Sequence, residues 1–400
     1  MSVRPLSSPI RATDEQPYAP AVSLRLPLDP LLTCAVIGLG ICSVITLRGA
    51  TRNLYPGNPS YYTTRQGVYL GLGMVLMLAL SRLDYAHLRR MKVVIYAFLI
   101  LSILAVLGLG HASNGAQRAI NFPFFSFQGS ELGKVLLIVA LAALLVERSR
   151  RLSQRDATAR VMLAALVPAM FVIAQPDLGS GMVYMVIAAI MLFVAGTPWR
   201  QLVTLAAIVL ASLTFILVAA PAVGVHVLKP YQVDRLTAFL HPSSNPRKQG
   251  YQQQESKIAI GAGQKTGWHG EGGQIPDGYV PESNTDFVFA AVGEQFGFVG
   301  AGFVLLLYAL LISRALRILV MSKDLFGSLI AAGVAAMLMF QVFVNVGMTI
   351  GIMPITGVTL PLMSYGGSSV ITILLAVGLL QSIYVQARAS AALKGRVPLN

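Results

Sequence analysis

The chain has 400 residues, of which 55% are hydrophobic and only 12% are charged, about half the ~25% charged content of soluble domains. A soluble fold of this size could not bury so much apolar surface, which excludes an ordinary water-soluble enzyme and a disordered chain. The formal net charge of +14 is better explained by membrane topology than by nucleic-acid binding, because cytoplasmic loops of membrane proteins are enriched in Lys and Arg.

Ten apolar runs are candidates for membrane-spanning helices, which need about 20 mostly apolar residues each. In chain order they are Leu31–Leu47, Gly67–Leu80, Val93–Gly110, Leu132–Val146, Val161–Ala174, Gly181–Ala195, Leu202–Val223, Phe287–Ser313, Gly327–Gly347 and Ser369–Val385. The sequence therefore predicts an all-α polytopic membrane protein with a transmembrane domain over residues 31–386. Residues 1–30 are predicted to be a disordered tail and residues 387–400 a short polar tail.

The distribution of Lys and Arg predicts the orientation of the chain. With ten spans, nineteen of the 30 basic residues fall in the two tails and in the loops on the same side. Six of the remaining eleven lie in one long loop, where the charge rule weakens. Both termini are therefore predicted to be cytoplasmic, in a bacterial cytoplasmic membrane, and the long loop between the seventh and eighth spans is predicted to be extracellular.

That loop, residues 224–286, also concentrates the acidic residues. Seven of the 16 acids in the chain lie between positions 234 and 294. A loop of this length in a compact protein is usually functional or disordered, and its aromatic and apolar residues favour a partly folded, functional segment.

Asp286 is the sharpest single candidate in this segment, because it lies where the loop meets a long apolar run. A partly desolvated carboxylate at membrane-surface depth has a raised pKa and suits a general base. The alternative is a helix N-cap, a position that Asp favours. Glu282 precedes it in the same motif, and Glu294 follows two turns along the predicted helix, as a second cavity carboxylate or as a structural partner of a cation.

A second set of candidates lies at the predicted outer face. Glu131 and Lys134 have i, i+3 spacing at the start of a helix and can pair, either as part of a site or as a simple salt bridge. Arg65 and Arg118 are candidates to bind phosphate oxygens, or they place their side chains among lipid headgroups. The segment around Arg118, residues 114–125, is predicted to be interfacial, either lying among the headgroups or re-entering the membrane.

Two further turns carry polar residues without basic ones. Asp177 follows Gln175-Pro176 and is a candidate site residue or the cap of the next helix. Ser364, Gly366 and Gly367 lie in an uncharged loop, where glycines allow a sharp turn and backbone N–H groups can bind an anion. The alternative is a tight interhelical turn. The five histidines show no metal-ligand spacing.

Taken together, these pieces resemble the SEDS family (shape, elongation, division and sporulation proteins) over nearly all of residues 31–386. The matching stretches are Arg65-Gln66, Gln128 with Ser130-Glu131 and Lys134, Gln175–Gly179, Gly250–Gln252, Pro281-Glu282 with Thr285–Phe287, and Ser364–Ser369. Ser256–Gly261 and Gly347–Gly351 look like the RodA branch, whereas Arg235-Leu236-Thr237 looks more like FtsW. The chain departs from the family pattern at Gly129, Ala119 and Gln295, which affects the details of substrate contact.

The resemblance implies a peptidoglycan glycosyltransferase that polymerises lipid II at the outer face of the cytoplasmic membrane, for cell elongation and rod shape. It implies that Asp286 is the general base, that the lipid-linked glycan leaves its polyprenyl diphosphate, and that Arg65, Arg118 and Lys134 supply the cations for that group. No organic cofactor is implied, and a divalent cation could share the task. A class B penicillin-binding transpeptidase is the implied protein partner, membrane lipid surrounds the helices, and no nucleic acid is involved.

Two other classes and a paralogue remain as alternatives. A flippase for lipid-linked precursors would need a polar path across both leaflets, and the inner halves of the predicted helices offer almost none. A secondary transporter should carry charges at mid-bilayer in two related halves, and the chain has no such repeat. The division or sporulation paralogue of the same polymerase family is the nearest alternative.

Overall fold

The structure, a computed structural model, describes residues 28–52, 58–109, 111–113, 116–122, 124–149, 155–214, 249–268 and 273–394. The described part is a helical bundle with one small sheet. Its helices are α1 (Pro30–Ala50), α2 (Tyr61–Ser81), α3 (Ala86–Arg90), α4 (Lys92–Leu109), α5 (Gly129–Arg148), α6 (Arg155–Ala174), α7 (Leu178–Val194), α8 (Trp199–Thr214), α9 (Gln249–Ala262), α10 (Val288–Met321), α11 (Leu325–Ile350) and α12 (Gly367–Lys394).

Seven of these helices, α1, α4, α5, α6, α10, α11 and α12, are long and apolar enough to cross a membrane. The helices α7 and α8 are apolar but shorter. Each of the ten predicted runs lies on a helix, although Gly110 and the end of the run Leu202–Val223 fall outside the described residues. In the long predicted loop, α9 is folded and packs on α10 and α11, so the loop is partly structured.

The centre of the bundle is formed by α5, α11 and α12. About nine-tenths of the apolar stretch of α12 (89%) and 78% of that of α5 are buried, against 22% in α4. The helix α12 lies along α2, while α11 packs on α5, α7 and α10. The last helix also continues to Lys394, well past the predicted start of the polar tail at residue 387. The reason is composition, since this segment is rich in alanine, the best helix former.

The segment predicted to be interfacial, residues 114–125, lies in a region that folds as a three-stranded antiparallel sheet. Its strands are β1 (His111–Ser113), β2 (Ala116–Asn121) and β3 (Ser126–Phe127), in the order β1-β2-β3. Pairing satisfies the backbone groups that a re-entrant segment would have to satisfy in other ways. The sheet lies between α4 and α5 in the chain and marks one end of the bundle, called the sheet end below.

At the opposite end, a buried network ties together α1, α10 and α12. Asp29 caps α1 by accepting hydrogen bonds from the N–H groups of Leu31 and Leu32, at 3.1 and 3.0 Å. Its other oxygen accepts from Arg314 of α10. Its own N–H donates to Oε1 of Gln381 in α12 at 2.8 Å. Asp29 is fully buried, so the start of α1 is fixed in the core.

Candidate active site

Asp286 lies in the acidic turn, residues 281–287, which leads directly into α10. Glu282 shapes this turn: its carbonyl accepts from the N–H of Phe287 at 2.9 Å, and its carboxylate accepts from the hydroxyl of Thr285 at 2.8 Å. The N-cap of α10 is Phe287, whose side chain makes no capping hydrogen bond. Asp286 therefore lies one residue before the cap, which argues against the N-cap alternative.

The backbone of the acidic turn is held from outside at three consecutive carbonyls. Two donors come from the glycine loop, residues 361–366, and the third comes from α11. The bonds run from Tyr365 N–H to Asn284 O at 2.8 Å, from Ser364 Oγ to Thr285 O at 2.6 Å, and from Asn345 Nδ2 to Asp286 O at 2.9 Å. The structure thus brings Asp286, Glu282 and Ser364 together, as members of one hydrogen-bonded unit.

The glycine loop is itself a tight, buried turn. The N–H groups of Ser364 and Tyr365 are already used, by Leu360 O and Asn284 O, so these two are not available to an anion. Gly366 is half-buried, and a Cβ there would make only an ordinary van der Waals contact, 3.9 Å from the Cβ of Ser369. Gly367 begins α12, and a Cβ there would lie 2.9 Å from the ring of Phe125. This loop has the structure of the interhelical-turn alternative.

Asp177 connects the start of α5 to the start of α7. Its Oδ1 accepts from the N–H of Ser180 at 3.0 Å and so caps α7. Its Oδ2 accepts from the hydroxyl of Ser130 at 3.1 Å and from Nε2 of Gln128 at 3.4 Å. Asp177 is therefore a helix cap that also fixes the position of the α5 N-terminus.

Glu131 and Lys134 form a buried ion pair at the start of α5, with 2.6 Å between Glu131 Oε1 and Lys134 Nζ. Their side chains are only 3% and 1% exposed. The other carboxylate oxygen, Oε2, is also buried and accepts no hydrogen bond from any residue that the structure describes. An incompletely satisfied buried charge is costly, which makes this pair a candidate for binding a polar group of a substrate.

The start of α5 is linked to the glycine loop through the first turn of α12. The hydroxyl of Ser368 donates to Ser126 O of β3 at 2.6 Å and accepts from the N–H of Gln128 at 2.9 Å. The buried ion pair, Asp177, the glycine loop and the acidic turn therefore all lie at the sheet end and belong to one connected set of hydrogen bonds.

Of the two arginines predicted to bind phosphate, the structure describes the side chain of Arg65 but not that of Arg118. Arg65, in the first turn of α2, lies over the ring of Tyr61 at 4.5 Å and donates a hydrogen bond to Tyr365 of the glycine loop. Burial raises the pKa of Tyr365 to about 12, so its hydroxyl stays protonated at neutral pH. The backbone of Arg118 lies in β2, and its side chain is outside the described residues.

Glu294 is buried in α10 and plays a structural part. Its Oε2 accepts from the N–H of Ile275 at 2.9 Å, and its backbone carbonyl accepts from the N–H of Trp268 at 2.7 Å. It fixes the segment 273–280 against α10. Of the two predicted roles, the structural one describes Glu294 better than that of a cavity carboxylate. Its carboxylate binds a backbone N–H group, however, and not a cation.

Two buried amides that support the site were not predicted as site residues. Asn345 binds the carbonyl of Asp286, and Gln66 of α2 donates to the carbonyl of Ser364 at 3.2 Å. Both are fully buried. Gln66 stands in a recognised motif, and Asn345 stands in an apolar run where a polar side chain is expensive. This cost is the feature of the sequence from which Asn345 could have been predicted as a site residue.

The comparisons with known proteins agree with this arrangement. The family described as "Cell cycle protein", which comprises FtsW, RodA and SpoVE, matches residues 28–389. The chain belongs to this family. Stage V sporulation protein E of Bacillus subtilis is 32% identical over 359 residues, covering 88% of this chain and 95% of that protein.

A second relative and a solved structure extend the likeness. Peptidoglycan glycosyltransferase RodA of Treponema pallidum is 35% identical over 385 residues, covering 80% of this chain and 88% of that protein. A solved chain described under "Structural coordination of polymerization and crosslinking by a peptidoglycan synthase complex" superposes with a TM-score of 0.76 at 32% identity, covering 90% of this chain and 99% of that one. The predicted family and the predicted all-helical, multi-pass membrane fold are confirmed.

Proposed function

We propose that this SEDS protein polymerises lipid II into glycan strands at the outer face of the cytoplasmic membrane, with Asp286 as the general base. The enzyme class, peptidoglycan glycosyltransferase, is the activity named for its relatives. The observation that carries the assignment of the site is the connected set of hydrogen bonds at the sheet end, which joins the acidic turn to the glycine loop and to the start of α5.

The proposed step is a single displacement at the anomeric carbon. The 4-hydroxyl of the acceptor sugar attacks the anomeric carbon of the donor glycan, and its proton passes to the carboxylate of Asp286. The bond between that carbon and the diphosphate oxygen breaks, polyprenyl diphosphate leaves with both bonding electrons, and the anomeric centre inverts. Because the leaving group is already good, one base is enough and a paired carboxylate is not required.

The departing diphosphate needs positive charge, since negative charge grows on its bridging oxygen as the bond breaks. We assign this task to Lys134, held by Glu131, and to Arg65 and Arg118. Lys134 is preorganised by its ion pair, and Arg65 is held against the glycine loop by Tyr365. The apolar surfaces of the surrounding helices accommodate the polyprenyl chain and membrane lipid.

The proposed chemistry needs no organic cofactor. A divalent cation on the substrate's diphosphate would take one or two protein carboxylate oxygens and complete its shell with phosphate oxygens and water. The buried Oε2 of Glu131, which accepts no hydrogen bond from the described residues, fits as such a ligand. Such a cation would supply charge neutralisation alone.

The deciding experiment replaces Asp286 with Asn in the purified full-length protein and follows conversion of lipid II to polymer on a gel. We expect Asp286→Asn to abolish polymerisation, because an amide cannot accept the proton at neutral pH. Asp277→Asn is the matched control: Asp277 lies in the same acid-rich segment, its carboxylate accepts the N–H of Gly273, and we expect normal activity. Melting temperatures verify that both variants fold.

Normal polymerisation by Asp286→Asn would overturn the assignment of the base. Movement of lipid II across a vesicle membrane without any polymer would favour the flippase alternative instead.

Within the family we propose the elongation role of the RodA branch rather than division or sporulation. The support is that residues 256–261 and 347–351 resemble the RodA branch. Relatives from all three branches match this chain at similar identity, so the proposal rests on these residues. Expression in a rod-shaped bacterium depleted of its own elongation polymerase, and in one depleted of its division polymerase, separates the two roles.

We further propose that the chain works with a class B penicillin-binding transpeptidase, which crosslinks the new strands. The structurally similar solved chain belongs to a complex described as coordinating polymerization and crosslinking. The described helices expose apolar side chains along α4 and α10, which suits contact with lipid or with the membrane anchor of such a partner.

A further inference from the structure

We infer that Asn345 is a positioning residue that aims the carboxylate of Asp286 by fixing the plane of the peptide that follows it. The inference rests on the proposed function, in which Asp286 is the base. It adds a residue from a different helix to the machinery of that function.

The geometry of Asn345 is that of a two-pronged clamp. Its amide nitrogen donates one hydrogen to the carbonyl of Asp286 at 2.9 Å and the other to the carbonyl of Val358 at 2.7 Å. The side chain is fully buried, and its Oδ1 accepts no hydrogen bond from the described residues. Asn345 therefore works through its donors, and both of them hold backbone.

The two carbonyls belong to two different segments, which Asn345 joins from α11. One is the acidic turn, and the other lies in the connection between α11 and the glycine loop. That connection also contacts the start of α7, because a Cβ on Gly179 would lie 2.7 Å from a methyl group of Val358 and 2.8 Å from the carbonyl of Thr356. Asn345 thus fixes the position of Asp286 relative to the part of the structure that contains Asp177 and the N-terminus of α5.

Asn345 holds the acidic turn more rigidly than the other two donors do, because it lies on a helix and they lie on a loop. Tyr365 and Ser364 hold the acidic turn from a loop, so they can move with it. Asn345 holds it from one of the most buried helices of the bundle, and packed helices position groups more rigidly than loops do. Fixing the carbonyl of Asp286 fixes its ψ angle and hence the direction in which its side chain leaves the backbone.

The test compares Asn345→Leu with Gln341→Met, each measured for kcat and KM with lipid II and for melting temperature. Leucine has the same branched arrangement of side-chain heavy atoms as asparagine and removes both donors. Gln341 is the matched control, because it lies one turn earlier on α11, is also fully buried, and has an amide with no hydrogen-bond partner among the described residues. Asn345→Ser, which keeps one hydroxyl donor, serves as the partial rescue, and Asp286→Asn is run in parallel.

We expect Asn345→Leu to lower kcat by about 10- to 100-fold, the loss typical of an angstrom-scale misplacement of a catalytic group, with KM unchanged. Asn345→Ser should recover part of this loss, and Gln341→Met should match the wild type. Equal losses in Asn345→Leu and Gln341→Met, a loss confined to KM, or a wild-type kcat in Asn345→Leu would each overturn the inference. If Asp286→Asn itself polymerises normally, the proposed base has failed; an inactive Asp286→Asn beside a fully active Asn345→Leu would mean that only the positioning role has failed.

Discussion

At the scale of single residues, the buried Glu131–Lys134 pair can have a structural role or a substrate-binding role. The i, i+3 spacing predicted that the two could pair, and the structure confirms the contact. The sequence did not predict that both side chains would be almost wholly buried, because burial depends on how α4, α7 and α12 close around α5. A buried pair can be a structural element or a binding element, and the two roles respond differently to removal of one partner and of both.

We predict that Glu131→Gln, which leaves the ammonium of Lys134 buried without an opposite charge, lowers the free energy of unfolding by about 3–5 kcal/mol. The double variant Glu131→Gln, Lys134→Met removes both charges and should recover most of this stability. Because Lys134 is assigned to the diphosphate, the double variant should stay inactive in lipid II polymerisation. A folded double variant with wild-type activity would reduce the pair to a purely structural role.

At the scale of elements, α10 is not one continuous helix. Gly297 has φ 61° and ψ −160°, and the turn 263–268 supplies the partners that the break removes. The N–H of Phe298 donates to Gln264 O at 2.8 Å and that of Val299 to Lys265 O at 3.0 Å. The long apolar run predicted a helix here but gave no sign of the break. The break depends on a close approach of distant backbone, which local periodicity does not report.

We predict that Gly297→Ala destabilises the protein by at least about 1–3 kcal/mol, because its backbone conformation (φ 61°, ψ −160°) is essentially restricted to glycine. The new Cβ would also lie 2.5 Å from the nitrogen of Gly267 and 2.6 Å from the carbonyl of Gly263, and both are backbone atoms that cannot move aside. Gly302→Ala, five residues further along α10 with open space around it, should be neutral or slightly stabilising, because alanine is the better helix former. Thermal unfolding in detergent compares the two, and equal melting temperatures would contradict the prediction.

At the scale of the whole molecule, the apolar runs predicted the helices, whereas the contacts between the helices could be identified only in the structure. Ten apolar runs and an acid-rich segment predicted the bundle and the region of the site, and the composition of two polar turns singled out Asp177 and the glycine loop. The hydrogen bonds that join these pieces link residues as far apart as Gln128 and Ser368. A sequence pattern shows that Asn345 is expensive in an apolar helix, but not which carbonyls it binds.

The orientation of the bundle in the membrane stays a prediction from the Lys and Arg distribution. A reporter fused at Asn400 should be active in the cytoplasm, whereas one inserted after Gly272, in the predicted outer loop, should be active outside. A cytoplasmic signal from the second fusion would place the candidate active site on the wrong side for lipid II polymerisation at the outer face.

The network around Asp29 has a consequence for the order in which the protein can be completed. Its N–H bonds Gln381, 352 positions later in the chain, while α12 also supplies Ser368 to the start of α5 and packs along α2. During synthesis the early helices enter the membrane before α12 exists, so their polar groups wait for a partner that arrives last. Assembly is therefore completed only when the final helix inserts, and a chain released early would lack both the closure at Asp29 and the framework of its active site.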